Sequence, residues 1–313
     1  MAIWVLKAVV QKTISFMPYK FALNRLFQKH VTKGLDLTDT LFASKIHHLG
    51  QHLEAYAGLP DSATRDLPTL ELGTGWYPVV PVGLFLSGMN NITTVDIQPL
   101  LSADHVRDTV KMYLQWIERG EFTARGINLQ PDRIDVLHTV LKMHTLDEML
   151  SAMHIEYCVR DVSSVVGEKQ IAFVHSNNTL EHVYPADLQQ MLKVFNAKLK
   201  SDAIMSHFID LSDHFSHMDA RIGPLNFLRF SDRQWRFIDN TIQPQNRLRI
   251  ADYRNLFKLT GWSILKEQNE TAAITDLIKS QINAKFVGYT DQDVSVTHSW
   301  VVLKKNGYAA CST

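Results

Sequence analysis

Short runs of apolar residues alternate along this chain with longer stretches in which apolar positions recur every three or four residues. The runs at 69–72, 92–97, 155–162, 171–178 and 203–209 read as β-strands, and the stretches at 79–86 and 188–199 as helices between them. Further on, 252–257 restarts a helix, and 262–267 and 294–304 read as two more strands. Strands alternating with helices predict a parallel α/β sheet whose ligand site lies at the carboxyl ends of the strands.

Two stretches interrupt that alternation. Residues 98–154 are far longer than the dozen residues a crossover requires, and Val110, Tyr113, Leu114 and Ile117, then Ile134, Leu137, Leu141 and 146–149, predict helices within it. Residues 210–250 are rich in aromatic and charged side chains; both stretches read as covers over a substrate site. Ahead of the sheet, 1–66 reads as a helical lid, and 67–313 as the sheet domain. In the lid, Leu6, Val10, Ile14 and Met17 share a helical spacing, Pro18 interrupts, and Phe21, Leu23, Leu26 and Phe27 continue. A further helix over 35–56 turns Phe42, Ile46, Leu49 and Leu53 one way, and with no acidic ligand interleaved His47, His48 and His52 are expected at its surface.

At 313 residues, 45% hydrophobic and 20% charged, the chain is long enough for a large core. Its net charge of zero supplies no overall field to recruit nucleic acid. Two cysteines, Cys158 and Cys311, lack a zinc or dithiol spacing and suit a reducing compartment; with no secretory or membrane-spanning segment legible, a cytoplasmic protein is expected. Every charge before Asp36 is positive, at Lys7, Lys12, Lys20, Arg25, Lys29 and Lys33. A basic amphipathic segment over 1–33 can lie on an anionic membrane, although a lid with solvated lysines accounts for the same pattern. Oligomeric state is left open.

The candidate chemistry centres on Thr69-Leu70-Glu71-Leu72-Gly73-Thr74-Gly75-Trp76-Tyr77-Pro78. Two close glycines between a strand and a helix permit a sharp turn and close approach of a ligand to backbone N–H groups. About twenty residues on, the second strand ends in Asp96, the spacing at which a carboxylate meets a ribose. Pro78 stands where a dinucleotide site would want its third glycine, and Glu71 would repel a pyrophosphate but suits a cationic amino-acid group.

This stretch resembles motif I of class I S-adenosylmethionine-dependent methyltransferases, with Glu71-x-Gly73-x-Gly75 at its core and Tyr77 in place of the usual third glycine. The resemblance extends over about 67–305 and implies a Rossmann-like sheet, mostly parallel with an antiparallel last strand, carrying N-terminal helices and helical insertions. It implies S-adenosylmethionine as cofactor, with S-adenosylhomocysteine as product. Glu71, Gly73, Thr74 and Gly75 would hold the methionine end, Asp96 and Ile97 would lie at the ribose, Asp161 and Val162 at the adenine, and Asn177 beside the donor.

Methyl transfer is an in-line displacement, and a hydroxyl acceptor must also lose its proton, which a histidine can take near neutral pH. His175, His182, His207, His214 and His217 fall near strand ends. The cluster at 207–217 points to His207 or His214 as base, with Asp210 or Asp213 as the orienting carboxylate, and His182 nearby. Glu181 and His182 also resemble the Glu-His pair of metal-dependent small-RNA 2′-O-methyltransferases, which implies an alternative in which Glu181, His182 and His207 hold a divalent ion; the metal-free base is preferred. The expected activity is O-methylation of a small-molecule, lipid or sugar hydroxyl. N-methylation and a non-catalytic interaction module are the alternatives.

Overall fold

A computed structural model describes residues 3–20, 23, 36–168 and 170–306. Phe21, Arg25, Leu26, Phe27, Lys29, Lys33 and Cys311, named above, lie outside the described residues.

Seven strands form one sheet in the order β3-β2-β1-β4-β5-β7-β6. They are β1 (Thr69–Leu72), β2 (Ile92–Asp96), β3 (Ile155–Val159), β4 (Phe173–Asn177), β5 (Ile204–Asp210), β6 (Trp262–Thr271) and β7 (Val296–Lys305). The first five run parallel, and β7 is antiparallel to both β5 and β6. This is the mostly parallel Rossmann-like sheet with an antiparallel last strand that the residue pattern and the resemblance imply. Chain order reverses between β1 and β4, the switch point at which doubly wound sheets place their ligands.

Thirteen helices accompany the sheet among the described residues: α1 (Ile3–Ser15), α2 (Asp39–Ala57), α3 (Val79–Leu86), α4 (Ala103–Glu118), α5 (Glu121–Ala124), α6 (Pro131–Val140), α7 (Leu146–Ala152), α8 (Val162–Glu168), α9 (Pro185–Lys198), α10 (Asp232–Ile238), α11 (Ile250–Leu259), α12 (Asp276–Gln281) and α13 (Asp291–Ser295). Helices α4 to α7 are the long excursion after β2. Its start is set by Ser102, whose hydroxyl accepts from the His105 N–H, and α7 opens with a capping box between Thr145 and Glu148.

Two cores flank the sheet. On one face Phe42, Ile46 and Leu49 of α2 pack with Val82 and Phe85 of α3, Tyr113 and Trp116 of α4, and Phe173 of β4. On the other, Leu188, Leu192 and Phe195 of α9 and Tyr253 and Phe257 of α11 meet Val174, Met205 and Ile209. Helix α3 reaches α2 and α4 at Gly83, where an added Cβ would lie 2.3 Å from Leu49 Cδ2 and 2.5 Å from the Tyr113 hydroxyl. The close helix packing often given by the third loop glycine is supplied here six residues later, at Gly83.

Helix α1 packs on the 210–250 segment. Ala8 packs with Phe215, Leu225, Phe227 and Trp235 in a third cluster built on the 210–250 segment. Its Lys12 donates to the carbonyls of Arg236 and Asp239, and Lys20, beyond the helix, donates to Thr241. No helix among the described residues is long and apolar enough to cross a membrane.

Candidate active site

The turn after β1 has the conformation its glycines suggested, with φ of 73° at Gly73 and 67° at Gly75. A Cβ on Gly73 would lie 2.5 Å from the Thr179 hydroxyl, whereas one on Gly75 would meet nothing within 4 Å. Gly73 is thus needed for packing, and Gly75 borders open space. The Gly75 N–H donates to Asp96 Oδ2 at 3.1 Å, and the Gln98 N–H donates to Asp96 Oδ1 at 3.1 Å. Each oxygen keeps a lone pair for another donor. Burial raises the Asp96 pKa and the backbone donors oppose that rise. Ile97 beyond it is 77% exposed, an apolar side chain presented at the mouth of the loop.

Glu71 is buried. Desolvation pushes its pKa up to about 8, while a hydrogen bond from the Thr94 hydroxyl at 2.8 Å and the Lys45 ammonium work against that rise. Thr74 joins through its hydroxyl, 2.5 Å from that of Thr94. A cationic ligand near Glu71 would shift it toward the carboxylate. Lys45, a half-buried residue of α2, is lowered by desolvation and raised by Glu71 and Glu181. The sequence pattern offered no reason to single it out, since helical periodicity does not say which acids its ammonium will meet.

Asp161 sits two residues past β3; its Oδ1 accepts from the Ser163 N–H at 2.8 Å at the start of α8, where Val162 is half-buried. Asn177 ends β4, but its Oδ1 is engaged by His52 Nε2 at 3.1 Å, while His52 Nδ1 lies 3.0 Å from the Ser206 hydroxyl. This corrects the surface assignment of two histidines: His48 and His52 are buried between α2 and the sheet, and only His47 is exposed. Burial lowers His48 to about 3 and His52 well below the usual range.

Strand β5 runs on to Asp210, so His207 is an interior position of the strand and not its end. Phe208 and Asp210 line a cavity of about 460 Å³ with Lys45, His48, His217 and His298, and alternation along the strand turns His207 to the opposite face. There His207 Nδ1 lies 2.8 Å from the Ser176 hydroxyl, and burial lowers it to about 3. His207 is therefore separated from the cavity, which argues against it as the base. His175 is likewise buried and lowered to about 3 by desolvation.

Asp210 gathers the imidazoles instead. His214 Nε2 lies 3.4 Å from its Oδ2, His217 Nε2 3.7 Å from the same oxygen, and His298 Nε2 3.6 Å from Oδ1. Burial would raise Asp210, but His214 and the Ser212 N–H and hydroxyl hold it well below the carboxylate range. Asp213, the other candidate partner, is occupied with the Phe215 N–H and the Asn226 side chain. His298 went unnoticed in the sequence because β7 pairs with β5 from 88 positions away, placing His298 opposite Asp210. His182 faces His214 edge-on with ring centroids 5.0 Å apart, and Glu181 lies beside them.

No family model matches this chain, and no curated protein does. Among solved structures, it is similar to the mitomycin 7-O-methyltransferase MmcR at 13% identity and a TM-score of 0.43, over 97% of this chain and 69% of that one. A carbon methyltransferase, CurJ, matches at 13% identity and 0.45, over 89% and 59%. An S-adenosylmethionine-dependent methyltransferase from Clostridium acetobutylicum matches at 10% and 0.42, over 91% and 98%. Identities and scores this low assign neither a family nor a chemistry.

Proposed function

We propose that this chain is an S-adenosylmethionine-dependent methyltransferase acting on a hydroxyl of a small organic acceptor. The observation that carries the reading is the junction of Gly75 and Asp96: a positive-φ glycine bordered by open space is held by a carboxylate that retains acceptor capacity, at the strand ends beside the sheet's switch point. Gly73, Thr74 and Gly75 would bind the methionine end with Glu71 and Lys45 beneath it, Asp96 the ribose hydroxyls with Ile97 beside them, and Asp161 and Val162 the adenine. The sulfonium supplies an electrophilic methyl group.

The cavity that Lys45 lines suits the acceptor. At about 460 Å³ it has the size of a small-molecule pocket, with Phe208 and Trp300 as apolar walls and polar groups converging on Asp210. His217 borders it, with Nε2 3.1 Å from the Ser212 hydroxyl and its Nδ1 left to accept a proton. The chain's task is to hold the acceptor oxygen in line with the methyl group while that imidazole takes the hydroxyl proton. His214 shares Asp210 but is only 19% exposed and lies deeper. An acceptor amine would have less use for such a cluster, which favours the hydroxyl.

Calorimetry with S-adenosylmethionine, S-adenosylhomocysteine and NAD tests the cofactor, and mass spectrometry of hydroxylated acceptors tests the transfer. Binding of both sulfur compounds and a gain of one methyl group are expected. Preference for NAD, or no binding to a folded chain, overturns the reading.

A further inference from the structure

We propose that α1 docks this chain on an anionic lipid surface, lying in the plane of the bilayer with its outward apolar side chains in the acyl boundary. The packing of α1 runs against its composition. Toward the protein it turns Trp4, Ala8, Gln11 and Lys12: Trp4 and Ala8 enter the cluster around Phe215 and Trp235, Gln11 is buried beside Gln243, and Lys12 donates to two carbonyls. Toward solvent it turns apolar groups. Leu6 is 57% exposed, Val9 55%, Phe16 79% and Met17 47%, and Tyr19 follows at 86%.

These positions form one side. Leu6, Val9 and Thr13 recur at steps of three and four residues along the helix, and the Phe16 and Met17 N–H groups donate to the Thr13 and Ile14 carbonyls, so the winding carries on through both. Helix α10, against which α1 packs, adds Phe237, exposed together with Arg233 and Arg236. Apolar side chains gathered in this way at a surface mark an interaction site.

Charge selects the partner. Lys7, Lys12, Lys20, Arg25, Lys29 and Lys33 all precede the first acid of the chain, Asp36. Lys12 is held by neutral carbonyl oxygens, and Lys7, on which the buried Asp213 acts, lies 5.8 Å over the Phe215 ring. An anionic bilayer takes both features at once, acyl chains receiving the apolar side and headgroups the cations. A second copy packed on the same face would set one basic run against the other. At 13 residues α1 is shorter than the roughly 20 needed to span a bilayer, so it lies on the surface. Trp4 stacks on Phe215, the neighbour of His214, with ring centroids 5.8 Å apart, so the docked helix is joined directly to the segment that carries the imidazoles.

Docking is independent of the transferase reading and is measured without cofactor. The test is flotation of the full chain with vesicles of phosphatidylcholine alone and of phosphatidylcholine mixed equally with phosphatidylglycerol. Binding is expected to be about tenfold or more stronger on the mixed vesicles and to weaken as salt is added. Leu6→Ser combined with Phe16→Ser should reduce it about tenfold or more through the apolar area no longer buried. Leu259→Ser, which alters a similarly exposed leucine on α11, should leave it unchanged. No flotation, flotation indifferent to lipid charge, or full binding by the folded double variant overturns the proposal. A dimer in lipid-free solution that the same two substitutions dissociate also overturns it, because a second copy then covers the face. S-adenosylmethionine affinity of the double variant is expected to stay at the wild-type value, so loss of docking leaves the transferase reading standing, and absence of cofactor binding leaves the docking.

Discussion

The Gly75 N–H donates to Asp96 Oδ2 at 3.1 Å, so the end of β2 fixes the turn that follows β1. Asp96→Ala removes both this bond and the acceptor offered to a ribose. Charge-assisted hydrogen bonds of this kind contribute about 1.5–3 kcal/mol, so S-adenosylmethionine affinity is expected to fall about tenfold or more. Asp96→Asn, which keeps one acceptor oxygen, should fall between. Calorimetry giving wild-type affinity for a folded alanine variant would remove Asp96 from the site.

Proton removal is separable from cofactor binding. Replacing His217 by alanine, or Asp210 by asparagine, should lower kcat about a hundredfold or more while the S-adenosylmethionine Kd stays near wild type. His207→Gln, on the far face, should keep most of the turnover of the fraction that folds. The opposite ranking would return the base to His207 and discard the Asp210 cluster.

Gly83 is a packing requirement. Alanine there would drive a methyl group into Leu49 and the Tyr113 hydroxyl, which itself donates to the Val79 carbonyl at 2.7 Å. Overpacking of this kind costs about 1–3 kcal/mol, to be read as a lower urea midpoint. An unshifted midpoint would mean that α2 and α4 yield freely.

Acid should destabilise the fold through its buried histidines. His48, His175 and His207 have folded pKa values near 3, and His52 is also depressed, chiefly by desolvation. In the unfolded chain each titrates near 6.5. Below that value the unfolded state binds more protons, so stability is fully present above about pH 6.5 and is lost toward pH 3, at about 1.4 kcal/mol per pH unit for each histidine. Around them stand Lys45, His47 and His298, which also disfavour protonation of His48, and Asn177, which favours it. Glu71, raised to about 8, and Glu181, also raised by burial, work the other way and offset two of the histidines, while His182, lowered to about 4 by burial, adds to them. Urea midpoints measured from pH 7 down to 4.5 should therefore fall, and less steeply in a folded His175→Phe variant. A flat profile would show that these imidazoles are hydrated.

The strands, the turn at Gly73 and Gly75, and the acid at the end of β2 were legible in the sequence because each rests on residues close in the chain. A short apolar run, a pair of glycines and a following helix declare their geometry locally, and Val79–Leu86 appears where the pattern predicted it. In the polar cluster after β5, Asp210, His214 and His217 were legible too, but His298 and the turning away of His207 were not. Whether His207 or its neighbours face the cavity depends on where β5 ends and on its register against β4 and β7, and a shift of one residue turns every side chain to the other face. His298 reaches Asp210 only through antiparallel pairing, and His48 and His52 are buried only because α2 is covered on more than its apolar stripe. The sequence alone determined the elements and the glycine turn proposed to receive a nucleoside. Tertiary structure decided which imidazoles share a carboxylate, because strand register and helix docking are set by contacts between residues distant in the chain.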